Sequence, residues 1–287
     1  RILGRNGKNR QNGQKASAVR RAAAYLVHRN ALVGEKGRFS RSECEAGAVS
    51  GGNRLGGRKM GEIFMKKNIS ISARPEKFND DFLMACGNMS WYDFVLGMPS
   101  LVFVVTGWKS NGKENACLHS WSAFTGSGPE HFICVLSKVS KDGHMYRSLK
   151  ETGVCVLNFP SNDIYDRCIK TIGHNEFETD EITAAGLTAE PAGRVNAPQI
   201  RECFLNIECE YLWEHELFEG SREVAVGLKA VNVCMDSDRY DQQKAGRYGK
   251  SGFLLQIDQP SNPETGEITH FGPGIVEEGV AVPWVTK

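Results

Sequence analysis

The stretch from Pro99 to Pro160 limits what this chain can fold into more than any other part of it. Its apolar residues come in short runs, Leu101–Trp108, His131–Ser140 and Val154–Phe159, rich in β-branched and aromatic side chains and without helical spacing. After the first run comes Ser110-Asn111-Gly112-Lys113, and Asn-Gly accepts the positive φ of a tight two-residue hairpin. Asn115–Phe124 is therefore expected to return antiparallel beside the first strand. Asn115, His119, Ser120 and Ser122 place hydrogen-bonding groups along it. That composition suits a polar ligand better than a dry core.

The same alternation of short strands and turn signals continues on both sides. Ile69–Ala73 reads as a short strand, and Phe82–Met98, with Trp91, Phe94 and Met98, as a segment covering one barrel end. Met145–Thr152 reads as a short helix, and Asp163–Ile172 repeats Ile164, Cys168, Ile169 and Ile172 at helical spacing. Ile182–Ala197, rich in Gly, Pro and Ala, reads as loop. Arg201–Trp213 and Glu223–Cys234 read as two strands joined by His215–Arg222, and Gly252–Ile257 as a last strand. Many short strands with few helices predict an all-β barrel.

Six motifs fall in a telling order: Pro-x-x-Val-x-Val-Val-Thr at Pro99–Thr106, Gly-Lys-x-Asn-Ala at Gly112–Ala116, Ser-Trp-Ser at Ser120–Ser122, Ser-Lys-x-Ser at Ser137–Ser140, Val-x-Asn-x-Pro at Val156–Pro160, and the run Val195–Cys203 followed by Ile207-Glu-Cys209. Together they resemble the flavin reductase-like family, the FMN-binding split barrels that include the flavoredoxins, from about Ala73 to Met235. The resemblance implies an antiparallel split β-barrel of Greek-key type with a few short helices. It also implies a homodimer with one FMN per subunit near the interface. The expected activity is that of an oxidoreductase passing electrons through FMN, from NAD(P)H to flavin or another small-molecule acceptor. The alternative is a flavoredoxin-type electron carrier that does not consume NAD(P)H.

The same resemblance assigns the candidate site. Ser137, Lys138 and Ser140 would meet the phosphate, since hydroxyls and an ammonium suit a dianion. The first amides of the helix at Met145 would add partial positive charge. Asn115, Ala116, His119, Ser120, Trp121 and Ser122 would meet the ring, with backbone amides toward its pyrimidine carbonyls and Trp121 as a flat wall. His215 and Tyr248 fall roughly where the flavoredoxins place a His and an aromatic near the ring, and His144 and His174 are further loop candidates. Relatives often carry Lys where this chain has Glu176. No Gly-x-Gly-x-x-Gly follows a strand, so a nicotinamide would dock on the flavin face without a domain of its own.

Nine cysteines occur, none in Cys-x-x-Cys, which argues against zinc ribbons and thioredoxin-type redox sites. Most sit in apolar runs and read as small buried hydrophobes in a reducing cytoplasm. No apolar run approaches the roughly 20 residues of a membrane-spanning helix, so no membrane partner is expected. The formal charge of +1 hides a split: residues 1–59 carry a net +11 and the remainder a net −10. Residues 1–59 are basic, hold ten glycines and have little apolar periodicity beyond Ala16–Asn30, so disorder is expected there. A nucleic-acid-binding arm and an organelle transit peptide are two readings of this segment. The favoured one is a stretch upstream of the true start, or a cloning remnant, because Met65-Lys-Lys resembles a bacterial start and follows purine-codable Gly56–Met60. The split-barrel domain is then residues 65–287, and nucleic acid is not an expected partner. Truncation to Met65 is expected to leave folding, dimerisation and FMN binding unchanged; loss of solubility or of flavin, read by absorbance of the purified protein, would overturn this.

Overall fold

The computed structural model describes residues 66–74, 90–173, 175–240, 247–257, 262, 264–266 and 272–276. The basic segment, Phe82–Met89 of the expected covering segment Phe82–Met98, and His174, Cys44 and Cys86 lie outside the described residues. Two compact units divide the chain, the first comprising residues 1–92 with 262–267 and the second the rest. In the first, Ile69–Ala73 is a turn and not the expected strand, with the Ala73 amide donating to the Ser70 carbonyl at 3.0 Å. The Ser70 and Ser72 hydroxyls bond each other at 2.8 Å, a local polar pairing that competes with a ladder.

The second unit holds β1 (Ser100–Leu101), β2 (Phe103–Trp108), β3 (Glu114–His119), β4 (Ser122–Gly126), β5 (Phe132–Ser140), β6 (Val154–Phe159), β7 (Ala189–Pro191), β8 (Pro198–Ile200), β9 (Leu205–Glu216), β10 (Glu223–Met235), β11 (Leu254–Ile257) and β12 (Gly272–Ile275). Seven of these form one antiparallel sheet in the order β3-β2-β6-β9-β10-β5-β4. Its helices are short: α1 (Trp91–Leu96, which starts in the first unit), α2 (His144–Thr152), α3 (Tyr165–Cys168), α4 (Lys170–Gly173) and α5 (Glu181–Ala184). Smaller sheets run β1-β11-β12 and β7-β8.

The β2–β3 turn differs from expectation by one residue. Lys109 and Lys113 close the hairpin, the Gly112 amide donates to the Lys109 carbonyl at 2.9 Å, and Gly112 takes φ 79°. This is a three-residue loop with its glycine in the left-handed position. The expected single strand Asn115–Phe124 is also two strands. The chain leaves β2 at His119 and joins β5 at Ser122, with the Ser137 amide donating to the Trp121 carbonyl at 2.9 Å. Only two residues link the opposite edges of the sheet, so the sheet must curl until those edges meet at that end. The expected loop Ile182–Ala197 instead contains α5 and β7, because Ile182, Ala185 and Leu187 pack on Val104 and Ala116 on the outer face of the barrel.

The barrel interior is filled by Phe103, Val105, Cys134, Leu136, Cys155, Leu157, Cys209, Val226 and Leu228, all at most 2% exposed. The cysteines Cys134, Cys155, Cys168, Cys203 and Cys209 are buried as expected, whereas Cys234 is exposed. Phe103, Phe124, Phe159, Phe204 and Phe253 form a chain of tilted and edge-on rings with centroids 5.2–5.9 Å apart. Gly227 is obligatory for a different reason: a β-carbon there would lie 2.2 Å from the Trp213 ring that covers it.

Two buried polar groups tie the layers. Asn158 donates to Val104 O at 2.9 Å and Thr106 Oγ1 at 2.9 Å, and accepts from the Ile200 amide at 2.9 Å and Asn206 Nδ2 at 2.7 Å. It thereby joins β2, β6, β8 and β9. Glu208 is fully buried with no cation paired to it among the described residues; its oxygens accept from the amides of Gly193, Arg194 and Val195 and from Asn232 Nδ2 at 2.6–3.0 Å. Burial works against its charge, but these donors outweigh it and hold the carboxyl below its usual range.

Asn158→Leu is expected to lower the unfolding free energy by roughly 3 kcal/mol, since several buried partners lose their hydrogen bonds at about 1–3 kcal/mol each; urea unfolding with the midpoint unmoved would overturn the hub assignment. For Glu208→Gln the stability loss is expected to be full above the unfolded carboxyl pKa of about 4.3 and to shrink as pH falls through the lower folded value. Thermal midpoints compared across acid pH test that sign, and a gap that widens toward low pH contradicts it.

Candidate functional site

A cavity of about 160 Å³ opens between β3, the C-terminal half of β5, the start of α2 and the segment Thr171–Asn175. Its apolar lining includes Val105, Leu136 and Met145, all buried, and its polar lining includes Asn115, His119, Lys138, Ser140 and His144. Each wall follows from a local rule. The bend after β5 needs Gly143, whose amide donates to the Ser140 carbonyl at 3.0 Å, and α2 starts immediately beyond it. α2 ends at Gly153 with φ 72°, its amide donating to the Leu149 carbonyl at 2.9 Å.

Of the residues expected at a site, Asn115, Ala116, His119, Lys138 and Ser140 line this cavity. Ser120, Trp121, Ser122 and Ser137 stand beside it without lining it. The Lys138 ammonium lies 4.8 Å from the centre of the Trp121 ring, so the two share one contact. The Trp121 carbonyl accepts from His119 Nε2 at 2.8 Å, and the Ser122 hydroxyl donates to the Ser120 carbonyl at 3.2 Å. Ser137 is exposed. His215 and Tyr248 are not brought to the cavity. His215 is exposed on β9, its ring 5.2 Å from Trp213, and Tyr248 packs at 6.2 Å from Phe253.

Two expectations about donors need correction. The Asn115 side chain is buried, and its amide donates to Ser148 Oγ at 2.7 Å, so it fastens β3 to α2. The outward amides of β3 are likewise committed. Glu114 N–H donates to Asp180 Oδ1 at 3.1 Å, Ala116 N–H to Glu181 Oε2 at 2.6 Å, and Leu118 N–H to Thr171 Oγ1 at 3.2 Å. A ring carbonyl at Ala116 would have to displace the carboxylate of Glu181. The expectation failed because these partners lie 53–66 residues away in sequence.

The charges behind the wall were not legible either. Lys109 and Glu181 are buried and paired at 2.8 Å. Lys109 also donates to the carbonyls of Glu176 at 2.9 Å and Thr179 at 2.7 Å. Glu176, whose charge departs from the family habit, thus contributes its backbone carbonyl here. Burial pushes the Glu181 carboxyl up, against the pull of the Ala116 amide and Lys109. His144 stands in front of this pair, its Nδ1 enclosed without a hydrogen bond and 3.9 Å from Glu181 Oε1. Burial, with Lys109 and Arg147 adding repulsion, lowers the His144 pKa. Burial also brings His119 down to about 4, so its imidazole is neutral at neutral pH. A carbonyl can only accept, so Nε2 of His119 carries the proton and Nδ1 is left as an acceptor.

Residues 95–248 match the family described as the flavin reductase like domain. An uncharacterised protein of Methanothermobacter thermautotrophicus is 31% identical over 117 residues, which cover 40% of this chain and 54% of that protein, so the match spans about half of the relative. Among solved structures, the flavoredoxin of Desulfovibrio vulgaris (Miyazaki F) superposes with a TM-score of 0.53 at 18% identity, over 65% of this chain and 92% of that one. The FMN-binding protein of Thermus thermophilus, solved with 1-cyclohex-2-enone, gives 0.51 at 17% identity, over 66% and 93%. At such identities the likeness is one of fold, and that fold is the split barrel. With more than half of its length, including β2 to β10 and the whole cavity, inside the matched region, this chain belongs to the flavin reductase like domain family.

Proposed function

We propose that this protein binds FMN at the cavity between β3, β5 and α2 and acts as an oxidoreductase through it. The observation that carries the reading is the Lys138–Trp121 pair at the cavity rim: an ammonium for a phosphate and a flat apolar face for a ring, in contact with each other. The donor set fits the group. Lys138 and the Ser140 hydroxyl suit phosphate oxygens. Nδ1 of neutral His119 suits an N–H donor on the ligand, and Val105, Leu136 and Met145 offer apolar surface. At about 160 Å³ the cavity is below the ~300–1,000 Å³ of a complete small-molecule site, so it encloses only part of an FMN. This supports a homodimer in which the partner subunit covers the remainder.

FMN, when bound, supplies hydride and electron transfer; the chain's own residues hold and orient it and exclude water. Electrons would come from NAD(P)H docking on the exposed flavin face, or from another small donor in the flavoredoxin-type alternative. Consumption of NAD(P)H by purified protein with FMN separates these two.

Lys138→Ala is expected to weaken FMN about 10- to 100-fold, the worth of a charge-assisted contact, and to leave riboflavin nearly unchanged. Trp121→Ala is expected to weaken both ligands, with FMN losing slightly more because Lys138 rests on that ring. Fluorescence titration of both ligands into both apo variants tests this. Equal losses of FMN and riboflavin on Lys138→Ala would remove Lys138 from the phosphate.

A further inference from the structure

Among the described residues that line the cavity, His144 has an enclosed ring nitrogen without a hydrogen bond. It opens α2, directly after Gly143 and four residues beyond Ser140, on the side of the cavity where the phosphate donors lie. Its side chain is 18% exposed. Nδ1 is enclosed and has no hydrogen-bond partner among the described residues, while Nε2 is not among the enclosed atoms left without a partner. The ring is held edge-on to Phe177 at 5.7 Å. Nδ1 faces a carboxylate oxygen of Glu181 3.9 Å away; a neutral ring holds one proton, so it can face Glu181 with N–H only by leaving Nε2 as a bare acceptor toward the cavity. A proton on Nδ1 turns it into a donor toward Glu181. Nε2 then carries the second proton and points it at whatever occupies the cavity.

The opposing charges come from every side. Burial, Lys109 and Arg147 disfavour a charged imidazole, and Glu181 faces it but is already shared with Lys109 and the Ala116 amide. An anion entering the cavity beside Lys138 and Ser140 adds negative charge near the ring. It shifts the balance toward the protonated ring.

We infer that His144 is a proton-linked anion contact: it takes up a proton when an oxyanion binds beside Lys138 and Ser140, donating from Nε2 to the anion and from Nδ1 to Glu181. The ligand class is a phosphate monoester or a free oxyanion of similar size. That the natural anion is the phosphate of FMN rests on the function proposed above. The sign follows from the linkage. Binding raises the midpoint of His144, so affinity increases as pH falls through the window between the free and bound midpoints, and levels off below it. His119 stays outside that window, because its proton is gained only near pH 4.

The test uses sulfate, whose charge is constant over the range, since a phosphate ester itself titrates near pH 6. Binding to the full chain is measured by calorimetry between about pH 5 and pH 7.5, with the His144 ring proton followed by NMR. The wild type is expected to bind sulfate about tenfold more tightly at the acid end, and sulfate to raise the His144 midpoint by about one pH unit. His144→Gln keeps a neutral donor and is expected to flatten the pH dependence to under about twofold. His144→Lys, a permanent cation, is expected to restore tight binding at both ends. Sulfate binding whose pH dependence survives His144→Gln, or a His144 midpoint that sulfate leaves unmoved, would overturn the inference. FMN and riboflavin titrations run alongside separate the two readings. If FMN binds and sulfate does not move His144, only this inference fails. If sulfate moves His144 and FMN does not bind, the anion site stands and the flavin reading falls. If neither ligand binds, both fall.

Discussion

The open edge of β3 is the constraint on which this side of the barrel depends. A strand at the end of a seven-stranded sheet presents a row of unpaired amides, which invite either water or another strand. Here Glu114, Ala116 and Leu118 donate to Asp180, Glu181 and Thr171, three side chains standing in for a neighbouring strand. Once a carboxylate is chosen for the buried middle position, a cation must follow it inside, and Lys109 does. Once Lys109 is inside, its remaining protons need acceptors, and the carbonyls of Glu176 and Thr179 supply them. Each step fixes the next, and Thr171, which closes this edge, also lines the cavity.

A buried ion pair of this kind is a poor source of net stability, because two charges lose their hydration. Its effect is positional: removing either partner leaves an uncompensated charge, so the arrangement tolerates little displacement. The cavity gains a wall whose polar groups are set at definite distances, and His144 is held between that wall and the C-terminal end of β5. Elsewhere on the outer side of the barrel the same logic uses neutral groups. Asn158 joins four strands through Val104 O, Thr106 Oγ1, the Ile200 amide and Asn206 Nδ2, and that role accounts for its place in Val156–Pro160.

Much of the barrel was legible because strand signals are local. The β-branched runs at Phe103–Trp108 and Val154–Phe159, the Asn-Gly turn and the long pair β9 and β10 lie where periodicity and turn chemistry place them. Failures occurred where tertiary packing overrode local pattern. Ser120 and Trp121 interrupt what reads as one strand because the chain must change partners from β2 to β5. The Gly- and Pro-rich stretch after Glu181 forms ordered elements because the outer face of β2 and β3 offers Val104 and Ala116 to cover. His215 and Tyr248, taken from a loose likeness, find aromatic neighbours of their own, Trp213 and Phe253, away from the cavity.

The amino-acid order by itself determined the fold class, the family and most of the strands, since these depend on side-chain alternation, turn residues and motifs only a few positions long. It also singled out Lys138 and Trp121, though without indicating that they touch. Tertiary structure alone decided which groups surround the cavity and in what state. The amide of Ala116 is occupied, Asn115 is fastened to Ser148, and Lys109 and Glu181 are buried behind His144. The physical reason is range. A strand is set by neighbours two residues away, whereas a hydrogen-bond partner or a desolvated charge is set by whatever the fold brings within about 4 Å, here from more than sixty residues along the chain.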